Sequence, residues 1–410
     1  MKINYYADTF FARQPIFDAH QNLWGHELLF RHSYDAQTAS FAKEDKATFD
    51  VIVNYYNQIH QLDNFSGKVI INFTTQSILD ESHYALAPGN SVLKVVESSV
   101  FDPPVVDAIR RLKADGYMLA VECACGRFTT PGLAALADIA IVDVLAGNCD
   151  LPLAEGGDFH GAYLAKRVED LSVLKMAKKN GFTLFQGFYF EKPEIVPGRK
   201  LSSSEISRFN LLKTIEEEDP DFTSLTQTIQ ADASITYRLL SYLNSAHFGQ
   251  PVKIESIRHA IVLLGWKHLR NWLRLLILTD ILPPKKTKEL LHTALIRGLF
   301  LENCAKDHPA HAADANNLYL LGLFSLLDTM LSTPMNKILE PLPLDEGVKT
   351  ALSGGKSGLA VWLDLVLAFE AADWKSVERI IAELDLGQIT TAKNYYDSLI
   401  ASNNFFGFIS

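Results

Sequence analysis

The sequence predicts an α/β barrel followed by an all-helical domain. Between residues 13 and 190, eight strand-like apolar runs alternate with amphipathic helical segments, the pattern of a sheet built from βα units. Pro193, Pro197, Gly198 and a serine run then interrupt that pattern. From residue 206 onward only helical periodicities follow. The 410 residues also exceed what one core holds, since single cores stop growing near about 250–300 residues. The boundaries drawn are a barrel domain over 1–195, a linker over 196–205 and a helical domain over 206–410.

The predicted strands are RQPIFD (13–18), LWGHELLF (23–30), KVIINFT (68–74), SVLKVVES (91–98), YMLAVEC (117–123), IAIVDVL (139–145), AYLAKRV (162–168) and LFQGFYF (184–190). Only AHQN joins the first two. That is too short for a crossover, so they should form an antiparallel hairpin. Helices are expected over 47–62, over 103–116 with proline at its start, and over 171–181 with glycine at its end. The connection from Asp143 to Tyr163 is rich in glycine and polar residues and shows no helical period, so one crossover helix should be missing. Together these give a modified (β/α)8 barrel. In the second half, FTSLTQTIQAD, ITYRLLSYLNSA, IESIRHAIVLLG, KHLRNWLRLLILTDIL and TKELLHTALIRGLFLENCAKD read as successive amphipathic helices. The linker carries too much proline to be very floppy.

Composition narrows the function classes. A net charge of -10 argues against broad binding to nucleic acid or anionic lipid, which needs clustered Lys and Arg. Four cysteines, among them Cys123, Cys125 and Cys149, make neither a disulfide framework nor a CxxC zinc site, and a reduced, cytoplasmic setting is expected. No apolar run approaches the ~20 residues of a membrane span, and the N-terminal stretch lacks a signal-peptide core. Within the second strand, Glu27 and Arg31 stand four residues apart in WGHELLFRHS. They read either as a metal ligand with a phosphate clamp at a strand end or as a structural ion pair.

RQPIF and ELLFR resemble the opening YQPI strand and the EALLR motif of the EAL family, the cyclic di-GMP phosphodiesterase domains. INFT stands where that family has its metal-binding Asn. LAKRVEDLSVLKMAKKNGFTLFQGFYFEKP follows the family's closing AEGVE…QGYYFSKP pattern. The second half, from LTQTIQADASITYRLLSYLNSAHFG onward, resembles the HDOD family, helical relatives of the HD phosphohydrolases. The EAL resemblance implies two divalent cations that activate a water, held by a ring of hard oxygen ligands at the barrel mouth.

By that resemblance Glu27, Arg31, Asn72 and Gln186 match the family's site positions, and Glu97, Glu122, Asp143 and Glu169 retain acids of it. Four positions depart: Lys94 and Lys166 stand where glutamates are expected, Cys123 where an aspartate is, and Ile141 where a lysine is. These changes remove or reverse most of the metal-site charge. They predict a chain that is not an enzyme, holds no metal or cofactor, and signals through contact with other proteins. Lys94 and Lys166 could offset phosphate charge, which leaves a metal-independent cyclic di-GMP receptor as the alternative and residual phosphodiesterase activity as a third reading. The favoured expectation pairs these lysines with Glu27, Glu97 or Glu169.

No histidine is followed by aspartate, so the HD metal motif is missing. His247, His259, His268, His292, His308 and His311 are expected to be polar packing or loop residues without metal. In WKHLRNWLR a helical wheel sets Trp266, Leu269 and Leu273 on one face, and Lys267, Arg270, Asn271 and Arg274 on another. Trp266, Lys267, Arg270 and Arg274 read as a partner surface or as a solvated basic face.

Overall fold

The computed structural model describes residues 9–32, 67–96, 102–123, 128–130, 132–146, 159–187, 190, 203–217, 221–244, 254, 256–281 and 288–409. Two compact units emerge, one of Met1–Lys192 with Asp364–Ile400, the other of Pro193–Leu363 with Ala401–Ser410. The sequence placed 364–400 with the helices that precede them, because helical periodicity shows which face is apolar and not what covers it.

The first unit holds a closed barrel of eight strands in chain order: β1 (Thr9–Asp18), β2 (Leu23–His32), β3 (Lys68–Asn72), β4 (Ser91–Val96), β5 (Met118–Glu122), β6 (Ile139–Asp143), β7 (Ala162–Lys166) and β8 (Leu184–Phe185). β1 runs antiparallel to both β2 and β8, and the other pairs are parallel. The predicted hairpin and all eight strands are present. β3, β5, β6, β7 and β8 end short of their predicted limits: β3 stops where Thr74 caps the next helix, and β8 stops before Gly187, whose φ is +149°. The predicted helix 47–62, residues 147–158 of the connection expected to lack a helix, and linker residues 196–202 lie outside the described residues.

Strand alternation divides the apolar side chains between two layers. Ile16, Ile70, Val92, Ala120, Ile139, Ile141, Leu164 and Leu184 form one cluster and fill the barrel. Ala140, Val142, Ala165 and Phe185 point the other way and pack with Leu174 and Ala177 of a covering helix. The described connections carry α1 (Thr75–Leu79), α2 (Pro103–Ala114), α3 (Leu133–Leu136) and α4 (Leu171–Lys179). In α2, proline begins the helix, Val105, Ala108, Ile109 and Leu112 form the buried stripe, and Arg111 and Lys113 meet the negative end of the helix dipole. Asp170 caps α4 by accepting from the Ser172 and Val173 amides. Within the same unit, Phe369 stacks on Tyr395 with ring centroids 5.0 Å apart, and the Gln14 amide donates to the Glu370 carbonyl at 2.6 Å.

The second unit is helical among the described residues. It includes α5 (Ser203–Ile215), α6 (Phe222–Ala231), α7 (Ala233–Leu243), α8 (Ile257–Leu264), α9 (Trp266–Ile281), α10 (Lys288–Lys306) and α11 (Ala315–Phe324). α10 and α11 approach so closely that a Cβ on Gly322 would lie 2.4 Å from the backbone of Arg297 and Gly298, which is why glycine is required there. Leu269, Leu273, Leu276 and Ile277 of α9 are fully buried.

Arg274 is buried as completely, at 0% exposure, with Nε and Nη2 each 2.5 Å from a carboxylate oxygen of Glu216. Asn271 accepts from its third nitrogen at 2.6 Å, and the guanidinium lies 5.5 Å from the Tyr319 ring centre. This corrects the proposed partner surface. Arg274 is a core residue, Trp266 and Arg270 are half-buried, and Lys267 alone of the four is exposed. A polar side chain on an apolar face escapes a helical wheel when its carboxylate partner lies 58 residues away. His292 is also buried and meets Asn403 at 2.8 Å, whereas His247 lies outside the described residues.

Candidate functional site

The barrel mouth is built from strand ends. Gln14 and Glu27 oppose each other in the β1–β2 ladder, so both side chains share one face. Glu27 points inward and is 1% exposed. One of its oxygens accepts from Lys94 of β4 at 2.7 Å, and the other accepts from the Gln186 amide, just past β8, at 2.8 Å. Three strands far apart in the chain thus converge on one carboxylate.

Lys94 is itself only 3% exposed, and its ammonium also lies 2.7 Å from Glu122 at the end of β5. Burial alone would lower the pKa of this lysine. The carboxylates of Glu27 and Glu122 outweigh that cost and hold it above the ordinary lysine value. Burial would likewise raise the pKa of Glu122, but Lys94 and Lys166 hold it below the usual carboxylate range. Lys166 lies 3.6 Å from Glu122. At the end of β6, Asp143 accepts from Arg167 Nε at 2.8 Å.

The remaining predicted positions scatter. Among the described residues Asn72 donates to the Leu28 carbonyl, at 3.5 Å. Ile141 fills the barrel interior, and the Cys123 thiol packs in the outer apolar layer with Val142 and Phe185. Cys123 has therefore left the mouth as well as changed its chemistry. Glu169 is half-buried just past β7. Glu97 and the side chain of Arg31 lie outside the described residues. The expected pairing of Lys94 with Glu27 is present, and Glu122 is its second partner.

The residue the sequence reading missed is Arg167. It stands at the glycine of the AEGVE pattern, and its φ is +62°, a left-handed conformation that L side chains rarely adopt. Its motif position was the available signal, since a motif glycine often marks positive φ.

The two divalent cations implied by the resemblance do not fit these side chains. A cation needs converging oxygen donors, and here the ammonium of Lys94 already takes the place between Glu27 and Glu122. Among the described residues no three His, Cys, Asp or Glu side chains are placed to hold a metal. No helix among the described residues is long and apolar enough to cross a membrane.

Residues 205–333 match the HDOD domain family. A Vibrio cholerae protein named cyclic di-GMP phosphodiesterase CdgJ is 30% identical over 384 residues, covering 92% of this chain and 88% of the relative. The chain belongs to the EAL-HDOD family of signalling proteins. A Bacillus subtilis relative, YuxH, whose name states no function, is 31% identical across 92% of this chain and 94% of its own length. Among solved structures, the Bacillus subtilis YkuI protein, with an EAL domain in complex with cyclic di-GMP and calcium, is 16% identical with a TM-score of 0.38, over 56% of this chain and 72% of that one. Klebsiella pneumoniae BlrP1, as a manganese and cyclic di-GMP complex, is 19% identical with a TM-score of 0.37, over 44% and 55%.

The CdgJ relationship corrects the expectation, drawn from Lys94, Cys123, Ile141 and Lys166, that the chain is not an enzyme. A protein alike over nearly the whole length carries the name of a phosphodiesterase. Motif departures at a metal centre report on that centre, and not on every way a phosphodiester can be handled.

Proposed function

We propose that the EAL barrel mouth takes cyclic di-GMP without a metal ion, with the ammonium of Lys94 filling the place between Glu27 and Glu122 that a cation would otherwise take. The observation that carries this is the buried Lys94 held between Glu27 and Glu122. Lys94, Lys166 and Arg167 are set against Glu27, Glu122 and Asp143, and these three cations offset the repulsion those three carboxylates would exert on a phosphodiester. The ligand is suggested by the activity in the name of CdgJ.

Isothermal titration with cyclic di-GMP, in EDTA and again in Mg²⁺ or Mn²⁺, tests the reading. Micromolar binding of equal strength in all three buffers is expected. No heat at high protein concentration would overturn it, and binding only with added metal would overturn the role of Lys94. Linear dinucleotide formed in the same samples reports hydrolysis. Product that persists in EDTA would make the site a metal-free phosphodiesterase.

A response passed to a protein partner by the HDOD half is favoured by Tyr237 and Val262, which stand 73% and 78% exposed and are candidates for an apolar contact. Chemical cross-linking in cells is expected to give an adduct with wild-type protein that is lost on Tyr237→Ser with Val262→Ser. An unchanged adduct would remove these two residues from the contact.

A further inference from the structure

Three strand ends meet on one side of the mouth. Glu122, Asp143 and Lys166 close β5, β6 and β7, and Asp143 and Lys166 are partners in the ladder register. The chain then turns through Arg167 with φ at +62°. That turn is fixed from its far side, where the Val168 amide donates to the Gln186 carbonyl at 2.9 Å. Gly187 also approaches so closely that a Cβ would sit 2.4 Å from Val168 backbone atoms. The corner that aims Gln186 at Glu27 therefore also aims Arg167.

The guanidinium of Arg167 uses one nitrogen. Nε meets Asp143 at 2.8 Å, and among the described residues the two terminal nitrogens have no protein partner. The side chain is 47% exposed. Lys166 beside it is 26% exposed and stands beyond hydrogen-bond length from Glu122, at 3.6 Å. In contrast to the sealed Lys94, these two cations present unused donors at the rim. A guanidinium held by Nε offers its terminal edge in the fork geometry that matches two phosphate oxygens. An arginine kept in a conformation suited to glycine is a feature that side-chain function explains better than backbone preference does.

We propose that Arg167, with Lys166 beside it, grips a phosphodiester group of the ligand at the rim of the EAL mouth. This rests on the cyclic di-GMP reading above. Asp143 acts as the positioning residue that holds the guanidinium by Nε.

The test is Arg167→Gly, which removes the guanidinium and leaves a residue at ease with positive φ. Calorimetry is expected to show cyclic di-GMP binding weakened at least tenfold, about 1.4 kcal/mol, with the melting temperature unchanged or raised. Arg167→Lys, which keeps the charge but not the fork, should fall between. A merely structural Arg167–Asp143 pair would lower the melting temperature and leave affinity alone, and binding within twofold of wild type would overturn the proposal. Inorganic pyrophosphate in EDTA, followed by phosphorus NMR, separates this from the failure of the ligand reading. If cyclic di-GMP gives no heat but pyrophosphate broadens with wild type and not with Arg167→Gly, the grip stands and the ligand reading falls. Absent or equal broadening, with no cyclic di-GMP heat, overturns both.

Discussion

Lys94→Met is expected to lower the melting temperature of the barrel unit by roughly 6–20 °C. Glu27 and Lys94 are 1% and 3% exposed, so removing the ammonium leaves a buried carboxylate that, among the described residues, keeps the Gln186 amide as its side-chain donor. Breaking a buried pair from one side costs about 3–5 kcal/mol, and for units of this size each kcal/mol moves the midpoint by about 2–4 °C. The double variant Lys94→Met with Glu27→Leu should recover part of the loss, because two apolar groups leave no stranded charge, although Glu122 and Gln186 still lose a partner. Hydrogen exchange resolved by peptide assigns the effect to β2, β4 and β5. A single variant as stable as wild type would remove the pair from the determinants of the barrel.

The pH dependence follows from the same groups. The pKa of Lys94 is raised, so its contribution is complete below about 10.4, the ordinary lysine value, and is lost as pH rises through the folded-state value. The pKa of Glu122 is lowered, so its contribution is complete above the ordinary carboxylate value of about 4.3 and is lost as pH falls through the folded-state value. The advantage of wild type over Lys94→Met is therefore expected to shrink as pH rises through the folded-state value of Lys94 and as pH falls through that of Glu122.

Arg274→Ala should have an effect of similar size in the HDOD unit. The fully buried guanidinium donates to both oxygens of Glu216 and to the Asn271 side-chain oxygen, and lies against Tyr319. Truncation strands the Glu216 carboxylate at about 3–5 kcal/mol and opens a cavity as well. Arg274→Lys should rescue little, because an ammonium cannot meet two oxygens in the plane of a fork. Chemical denaturation followed by peptide-resolved hydrogen exchange over α9 reads this unit, since the five tryptophans are spread over both units. Full rescue by lysine would show that charge alone, and not fork geometry, holds the pair.

The barrel was legible because its strands are short runs such as KVIIN and IAIVD, in which β-branched residues mark sheet and the loops between set the order. The AHQN joint fixed the sense of the first pair through chain length alone. The Lys94 and Glu27 pair was legible because a motif placed both at strand ends facing one mouth. Other features had no such local mark. Arg167 carries nothing in its residue type that announces a positive φ, and only the glycine of the motif hints at it. The thiol of Cys123 left the mouth because side chains alternate across a strand, so the neighbour of an inward Glu122 points outward. Arg274 looked like a surface charge because periodicity records polarity and not partners, and the motif departures spoke to metal binding while the relationship to CdgJ speaks to a wider chemistry.

The hydrogen bond from Gln14 to Glu370, together with the stacking of Phe369 on Tyr395, bears on how this chain can be divided. A fragment ending at the proline-rich junction would carry all eight strands and still lack Asp364–Ile400, residues that belong to the barrel's own unit. The two halves are consequently not interchangeable cassettes. The barrel's unit is finished by sequence that follows the matched HDOD segment, and a gene trimmed to the motifs alone would encode an incomplete unit.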